Sequence, residues 1–266
     1  MRLETTNNRI KRIAAIKMFL AAFMLLICAV STVKANTFTV TNTNDGGAGS
    51  LRQAIIDANN NPGKDTIVFD ISGTGPYTIQ PTSPLPDITD PVVIDGLSQS
   101  GASCKKWPPR LMIELDGSLT GGGSGLAIIG GRSTVKGLVI NRFAGSAIEI
   151  NSNGNNAVEC NFIGTDVTGN SDLGNAGHGV IISGTSGNII GGKKIKTRNL
   201  ISGNGGSGIS IGVEIRMLVD GKYEAGYHSI RWDGKDNMGQ PVTSGLYLYR
   251  LQAGDFSQVK KMNLVR

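Results

Sequence analysis

The chain of 266 residues contains 26 basic and 20 acidic side chains, 38 glycines and 5% aromatic residues, with a formal net charge of +6. Residues 1–35 hold six of the basic residues and one of the acidic residues, which leaves 20 basic and 19 acidic side chains elsewhere. This nearly neutral remainder gives no reason to expect nucleic acid or an anionic membrane as a partner. The glycines follow no triplet period, which excludes a collagen-like chain.

Residues 1–35 are predicted to form a secretory signal peptide. The apolar run Met18–Val30 follows a basic segment, and Val33-Lys34-Ala35 is similar to a small-x-small cleavage site. The alternative, a membrane span, needs about 20 apolar residues, which is more than this run provides. Cys28 is a candidate lipoprotein site, but Ile27 is bulky where that processing requires a small residue. We therefore expect a protein that is secreted or held at the cell surface, without a membrane span after cleavage.

The next segment, residues 36–72, predicts a strand, a helix and a second strand. Thr37–Asn42 alternates between apolar and polar residues, and Asp65–Ile71 is predicted to be a strand again. Ser50 is a good N-cap for a helix whose apolar positions are Leu51, Ala54, Ile55 and Ala58. The proline-rich segment Pro76–Pro91 is expected to be irregular.

Two strands follow the proline-rich segment, and each ends in an Asp-Gly corner. Val92–Ile94 precedes Asp95, and Ile113–Leu115 precedes Asp116. Aspartate before glycine typically forms a turn, and we assign that role to both aspartates.

An insertion, Leu97–Pro109, separates these two strands and contains Cys104, Lys105, Lys106 and Trp107. An exposed tryptophan beside basic residues can stack on a sugar ring, but our expectation is that Trp107 packs over the side of the fold. Cys104 and Cys160 are the cysteines that remain after signal cleavage. A disulfide between them is conceivable in an exported chain, but our expectation is two free thiols, with Cys160 as a small core residue. No cysteine spacing indicates a metal site.

Four short segments share one pattern: a small residue, an apolar residue, a variable residue and then isoleucine. They are Gly125–Ile128, Ala147–Ile150, Gly179–Ile182 and Gly208–Ile211, and they lie 22, 32 and 29 residues apart. A second series keeps step with the first, at Ser133–Gly137, Asn156–Cys160 and Asn188–Gly192. Two motifs that share one irregular period indicate a chain that returns to the same place once per turn.

The repeated segments alternate with the period of two that is typical of strands, and Gly or Asn flanks nearly every one. Stacked turns of this kind place strands about 4.8 Å apart in parallel ladders. A column of aliphatic side chains is expected inside, because no single turn can bury its own apolar face. Its predicted members are Leu126, Ile148, Val180 and Ile209, with Ile128, Ile150, Ile182 and Ile211 beside them.

Five stretches carry a more specific pattern: Asn161–Asp166, Leu173–Asn175, Gly179–Ile182, Asn188–Gly192 and Asn199–Asn204. This pattern resembles the repeat of secreted bacterial surface proteins with a right-handed, pectate-lyase-like parallel β-helix. The resemblance implies an all-β protein, with a right-handed parallel β-helix solenoid over residues 36–212 and an N-terminal cap at residues 36–72. It implies almost nothing about activity, because the recurring residues are corner and core residues.

Residues 213–266 have a different character and are predicted to form a small antiparallel β module. The expected strands are at Leu218–Gly221, His228–Gly234, Gly245–Leu251 and Gln258–Met262.

Parts of this module resemble the C-terminal half of the immunoglobulin-like domain of flagellar hook-capping proteins, which is similar to type-nine sorting domains. The matching pieces are Trp232–Asp236, Ser244–Tyr247 and Lys260–Met262. Some strands of that family are missing, so either the last repeat supplies their neighbours or the module is truncated, and we favour truncation. The resemblance implies a role in sorting or attachment.

A polysaccharide lyase needs clustered acids with an Arg or Lys base on neighbouring outward positions, and a glycosidase needs two carboxylates about 5–9.5 Å apart. The outward column of the first series contains one acid, Glu149, besides Ala127, Ile181 and Ser210. The second column contains Lys136 and Glu159, for which a surface ion pair is the expected role. We therefore assign no catalytic residue, no cofactor and no metal.

Three further motifs give no chemistry. His178 and His228 lie in different predicted domains, and His178 is expected at a solvated corner. Asp233–Asn237 is similar to a calcium loop, but Lys235 stands where a second acid is needed, so a hairpin turn is predicted. Gly121–Gly123 lacks the strand and helix that a phosphate-binding loop joins.

Two classes of function remain. In the first, an exported structural or interaction protein binds glycans or other surface proteins through its repeats, and its C-terminal module serves sorting or attachment. In the alternative, a polysaccharide lyase or glycoside hydrolase acts on acidic polysaccharide. Three acids with an arginine on adjacent repeats would favour the alternative, and the sequence does not assemble such a cluster. The oligomeric state is left open.

Overall fold

A computed structural model describes residues 34–212, 216–224, 226–253 and 256–265. The predicted signal peptide therefore lies outside the described residues, apart from Lys34 and Ala35. Within these ranges the fold is mostly β, with three parallel sheets, one antiparallel pair of strands and one α-helix. No helix among the described residues is both long enough and apolar enough to cross a membrane.

Among the described residues the chain forms one α-helix, and strands precede and follow it. In chain order they are β1 (Thr37–Val40), α1 (Leu51–Asn60), β2 (Asp65–Phe69), β3 (Tyr77–Ile79), β4 (Val92–Asp95), β5 (Ile113–Asp116), β6 (Leu126–Ile128), β7 (Thr134–Lys136), β8 (Leu138–Asn141), β9 (Ile148–Asn151), β10 (Ala157–Glu159), β11 (Phe162–Ile163), β12 (Val180–Ser183), β13 (Ile189–Ile190), β14 (Leu200–Ile201), β15 (Ile209–Ile211), β16 (Gly245–Ala253) and β17 (Phe256–Leu264).

The chain visits the three parallel sheets in rotation. The first sheet has the order β1-β2-β4-β7-β10-β13, the second β3-β5-β8-β11-β14 and the third β6-β9-β12-β15. From β4 onward, each run of three consecutive strands contributes one strand to each sheet, and we call such a run a pass. Ile88 extends the third sheet by one position, through an isolated parallel bridge to Ile128.

The strand register keeps equivalent residues of successive passes side by side. Leu126 lies opposite Ile148 in the third sheet, and Val135 lies opposite Val158 in the first. These are the positions that the two sequence motifs place in step, so this part of the prediction is confirmed.

Inward-pointing aliphatic side chains form the core of the repeats. Leu126, Ile148 and Val180 are each no more than 1% exposed, which confirms three of the four members of the predicted column. The prediction is wrong for Ile209 and Ile211, which are 43% and 72% exposed. Both lie on β15, the last strand of the third sheet, so no further described strand of that sheet covers them.

Asparagine side chains connect successive passes at the corners between the sheets. Nδ2 of Asn156 donates to Oδ1 of Asn188 at 3.0 Å. Asn161 is fully buried, donates from Nδ2 to the carbonyl oxygen of Val135, and accepts from the backbone N–H of Leu138. These amides therefore satisfy backbone groups that the corners leave without strand partners.

The helix α1 begins and packs as the sequence predicts. Oγ of Ser50 accepts a hydrogen bond from the backbone N–H of Gln53 at 3.1 Å, which makes Ser50 the N-cap. The helix buries the four predicted side chains, Leu51, Ala54, Ile55 and Ala58. Since β1 and β2 flank it in sequence and pair in parallel, the predicted strand-helix-strand segment is confirmed.

The segment Pro76–Pro91 is not wholly irregular, and that expectation is wrong. It contains β3, which pairs in parallel with β5 and places Tyr77 opposite Ile113. A strand of three residues that directly follows a proline is too short to show an alternating pattern in the sequence.

The described residues divide into two compact units: those up to Ile181 together with Thr185–Ser210, and Ile182–Gly184 together with those from Ile211 onward. In the second unit, β16 and β17 pair antiparallel, with Tyr247 opposite Met262. The strands predicted at Leu218–Gly221 and His228–Gly234 are wrong, because these segments find no strand partner and remain irregular. A hairpin of two strands is only marginally stable by itself.

Candidate ligand-binding site

A disulfide ties the insertion between β4 and β5 to the repeats. It joins Cys104 to Cys160, which are 5% and 0% exposed. The two sulfur atoms lie in a buried apolar cluster with Leu111, Val139 and Phe162. The expectation of two free thiols is therefore wrong, because the insertion folds back over the corner that Cys160 occupies.

The same insertion presents Trp107. Ser103 and Arg110 exchange two backbone hydrogen bonds of 2.8 Å and close the loop at its base. The Trp107 ring meets the Phe162 ring edge to face, with centroids 6.3 Å apart and an interplanar angle of 74°. Trp107 is nevertheless 41% exposed. It therefore packs over the side of the fold, as expected, and still offers much of its indole to a ligand.

Trp107 lines an open depression of about 480 Å³. Ile190, Ile201 and Ile209 supply apolar walls, and Gly191 with Gly192 adds backbone without side chains. Arg198 and Asn199 are the polar side chains of the lining. An apolar surface with a few polar groups is the usual composition of a small-molecule site.

The two polar side chains of this depression differ in how many hydrogen-bonding groups remain available to a ligand. Nδ2 of Asn199 donates to the carbonyl oxygen of Val158 at 2.7 Å, and Oδ1 accepts from the backbone N–H of Asn161 at 2.9 Å. Its amide is therefore occupied by the fold. Arg198 is exposed and retains its donors for a ligand.

The segment between β13 and β14 that carries Arg198 is ordered by its own hydrogen bonds. Thr197 donates from its backbone N–H and from Oγ1 to the carbonyl oxygen of Lys194, at 3.0 and 2.9 Å. The backbone N–H of Arg198 donates to the carbonyl oxygen of Ile195 at 3.2 Å. A short 3-10 helix, Ile195–Thr197, results and fixes where the arginine leaves the backbone.

Six exposed cations lie in the two chain segments that contribute Trp107 and Arg198 to this depression. We call them the basic rim: Lys105, Lys106, Lys193, Lys194, Lys196 and Arg198. The ion pairs found within the described part of the chain involve other cations, namely Arg52, Lys136, Arg142 and Arg216. No described carboxylate therefore neutralises the basic rim.

A second charged group, which the sequence analysis missed, lies where β5 and β8 pair. Nη2 of Arg142 is 2.9 Å from Oδ2 of Asp116 and 3.9 Å from Oε1 of Glu114. Both acids are buried, with residue exposures of 0% and 8%. The feature that could have revealed this charged group is the alignment of β8 with β5. It places Asn141 opposite Asp116 and Arg142 just beyond it.

The oxygens of these two acids are largely occupied. Glu114 accepts from Nδ2 of Asn141 at 2.8 Å, and Asp116 accepts from Nε2 of Gln80 at 2.6 Å. Asp116 also accepts from the backbone N–H of Ser118 at 3.0 Å, which is the corner role that the sequence predicts.

An open depression of about 470 Å³ lies beside Arg142 and Phe143, but neither Glu114 nor Asp116 lines it. A general acid or base must come within hydrogen-bond reach of its substrate. The geometry therefore favours a structural role for this ion-pair cluster.

The remaining outward residues of the sequence analysis are engaged locally. Lys136 lies between Asp95 and Glu159 on neighbouring strands, and its Nζ pairs with Asp95 at 2.9 Å. The prediction that Lys136 pairs with Glu159 is therefore wrong, because Lys136 pairs with Asp95 instead. Glu149 accepts hydrogen bonds from Oγ of Ser124 at 3.0 Å and from Nδ2 of Asn151 at 2.7 Å. Neither of these partners is an acid.

His178 lies at a corner, as expected, and is half-buried. Its Nδ1 accepts from the backbone N–H of Ser207 at 2.9 Å, so the ring joins two passes. Within the described ranges no three His, Cys, Asp or Glu side chains gather as a metal-binding group.

The segment that is similar to a calcium loop is a turn, as predicted. Oδ1 of Asp233 accepts from the backbone N–H of Lys235, and Lys235 bridges to Pro241. Desolvation acts to raise the pKa of Asp233, but the hydrogen bond from Lys235 and the guanidinium of Arg216 outweigh it and lower that pKa. The carboxylate is thus held by the turn and by an arginine.

A comparison with models of protein families finds no match, and a comparison with curated proteins finds no significant similarity. Function is therefore inferred from the residues of this chain alone.

Proposed function

We propose that this protein is an exported surface or extracellular protein that binds glycans at the depression beside Trp107. Its repeats form a right-handed parallel β-helix, and its C-terminal module serves sorting or attachment. The single observation that carries glycan binding is the 41% exposure of Trp107 in a depression that Arg198 also lines.

The rotation of the strands through three parallel sheets supports the β-helix. A chain that returns to the same sheets pass after pass winds around a common core, and the stacked Leu126, Ile148 and Val180 occupy such a core.

Two observations support export. The sequence of residues 1–35 has the basic segment, apolar run and cleavage pattern of a secretory signal. The Cys104–Cys160 disulfide fits a protein that matures in an oxidising compartment, since disulfides are rare in the cytosol.

The chemistry of the depression supports a saccharide ligand. A sugar ring presents C–H groups on its faces and hydroxyl groups at its edge. The indole of Trp107 offers a flat apolar surface to the face, and the guanidinium of Arg198 offers donors to the edge.

The composition of the hairpin β16–β17 supports an attachment role. Trp232 packs on Tyr247 with ring centroids 4.9 Å apart, while Leu246, Leu248 and Val259 are more than half exposed. Exposed apolar side chains on a sheet with open edges are typical of a surface that pairs with another chain.

Retention on immobilised polysaccharides tests the glycan-binding proposal. We expect Trp107→Ala to weaken retention about tenfold, because it removes the largest contact surface of the site. Trp232→Ala, which removes a tryptophan from the second unit, is the matched control and should bind as the unchanged protein does. If the unchanged protein is retained on no polymer of a broad panel, or if Trp107→Ala is retained equally, the proposal fails.

The second candidate, a polysaccharide lyase or glycoside hydrolase, would have to use the cluster of Arg142 with Asp116 and Glu114, although neither acid lines the neighbouring depression. Incubation with uronate polymers, followed by ultraviolet absorbance for unsaturated ends and by a reducing-sugar assay, tests it. Product formation that Asp116→Asn abolishes would support this candidate, and the absence of any product would rule it out.

A further inference from the structure

We infer that the depression beside Trp107 takes an acidic polysaccharide, a chain that bears carboxylate or sulfate groups, rather than a neutral one. This inference rests on the glycan-binding function proposed above and names the class of glycan.

Positive charge is concentrated in the two segments that line the depression. Lys105 and Lys106 directly precede Trp107, and Lys193, Lys194 and Lys196 lie in the ordered segment that ends at Arg198. The basic rim therefore comes from two separate parts of the chain, each of which also contributes residues to the lining of the depression. This local excess of positive charge stands out from the nearly balanced charge of residues 36–266.

The cations of the basic rim lack ion-pair partners among the described carboxylates. Three other cations of the first unit are paired: Lys136 with Asp95, Arg142 with Asp116 and Arg52 with Asp45. No described carboxylate lies within ion-pair distance of a cation of the basic rim. Unpaired cations around a concave surface attract an anionic ligand and strengthen its charge-assisted hydrogen bonds.

The apolar lining of the depression distinguishes a polysaccharide from other polyanions. Phosphate contacts alone require only cations, whereas this depression combines branched aliphatic walls and one half-exposed indole with Arg198. A pyranose ring covers the indole with its C–H face and directs its equatorial carboxylate outward. Arg198 then meets the carboxylate with a planar fork of donors, a geometry that suits carboxylate and sulfate oxygens.

The two segments that form the site are ordered before a ligand binds. The Cys104–Cys160 disulfide holds the Trp107 loop, and the hydrogen bonds of Thr197 to Lys194 hold the segment of Arg198. A site that is ordered before binding loses less conformational entropy when the ligand arrives. The aromatic and the cationic parts are thus kept in place independently of each other.

Binding to a polyuronate and to its carboxyl-reduced form tests the inference on the full chain with its disulfide intact. The two polymers share linkage and size, so they differ in charge alone. We expect about tenfold tighter binding to the polyuronate, and a loss of that preference as salt is raised toward about 1 M. We expect Arg198→Gln to weaken polyuronate binding about fivefold to tenfold and to weaken binding to the reduced polymer less, because glutamine keeps N–H donors for a hydroxyl group but lacks the charge.

Lys64→Gln is the control, because Lys64 is an exposed cation of the loop between α1 and β2. It should bind both polymers as the unchanged protein does. Equal affinity for the two polymers, with Trp107→Ala still weakening both, would overturn the acidic class and leave glycan binding in place. Binding to neither polymer would overturn both proposals. Equal retention on double-stranded DNA or on vesicles of anionic lipid would show that charge alone recruits the ligand, and would overturn the assignment to polysaccharide.

Discussion

Nη2 of Arg142 lies 2.9 Å from Oδ2 of Asp116, and this ion pair joins the corner after β8 to the end of β5. The Asp116 side chain is 1% exposed, so partners within the protein, and not water, must stabilise its negative charge. We expect Arg142→Gln to lower the free energy of unfolding by about 2 kcal/mol, because a buried carboxylate loses its counter-charge. Urea denaturation near neutral pH measures the change.

Arg132→Gln is the matched control for this variant. Arg132 has a positive φ of 53°, against 58° for Arg142, and is exposed as Arg142 is, but it pairs with no described carboxylate. We expect a change of less than about 0.5 kcal/mol. Equal losses of stability in the two variants would contradict the importance of the ion pair.

The Cys104–Cys160 disulfide is expected to contribute strongly to stability. It spans a sequence separation of 56 residues, and a chain-entropy estimate for a loop of that length gives about 4 kcal/mol. The double variant Cys104→Ala with Cys160→Ala should lose about this amount, and the reduced form of the unchanged protein should match it. The prediction would be contradicted if the oxidised and the reduced protein unfold at the same urea concentration.

The Asp45 carboxylate makes stability depend on acid pH. Oγ1 of Thr82 donates to it at 2.5 Å and Nη2 of Arg52 at 2.6 Å. The hydrogen bond from Thr82, and then that from Arg52, lowers the pKa of Asp45 below its ordinary value of 3.8. A carboxyl group whose pKa falls on folding stabilises the protein above its ordinary pKa, and that stabilisation is lost as the pH falls through the folded pKa.

Asp45→Asn should therefore be less stable than the unchanged protein near neutral pH, by about 1 kcal/mol. The difference should shrink steadily below the ordinary pKa of Asp45, because both proteins then lack the charge. Asp87→Asn, at an exposed position, is the control and should alter stability at neither pH. A difference that stays constant between neutral pH and strong acid would show that the charge of Asp45 does not matter.

The buried Asn161 links three parts of the repeats, and its removal should be costly. Asn161→Ala leaves the N–H of Leu138 and the carbonyl oxygen of Val135 without their partner. We expect a loss of about 2–3 kcal/mol and faster hydrogen exchange at the Leu138 amide. Asn170→Ala, in an exposed loop, is the control. Unchanged exchange at Leu138 in Asn161→Ala would be incompatible with this role.

The sequence predicts those elements whose determinants are local or strictly repeated. Ser50 and the apolar spacing of α1 are sufficient for that helix, since capping and periodicity act within one or two turns. The motif containing Leu126 and the motif containing Val135 predict the third and first sheets, because each recurs on one shared period.

Features that depend on neighbours in space escape the sequence analysis. The second sheet joins very short strands such as Phe162–Ile163, which show no alternation of their own. Ile209 resembles its buried equivalents in sequence, and its exposure follows only from its place on the last strand of the sheet. The predicted strands before β16 need partners that the described chain does not supply.

The candidate site was predictable in part. Trp107 and its adjacent lysines are visible in the insertion, and so is their fit to a sugar. Arg198 is not, because only the folding of successive passes brings the segment between β13 and β14 beside that insertion. The disulfide likewise depends on how the loop closes at Ser103 and Arg110.

Tryptophan emission of the Trp232→Phe variant, titrated with an acidic oligosaccharide, tests glycan binding at Trp107 most directly. The chain has two tryptophans, so this variant reports on Trp107 alone. We predict a saturable change in emission that Arg198→Gln shifts to higher ligand concentration. No change of Trp107 emission across a panel of acidic and neutral oligosaccharides, at concentrations up to about 10 mM, would contradict binding at this depression.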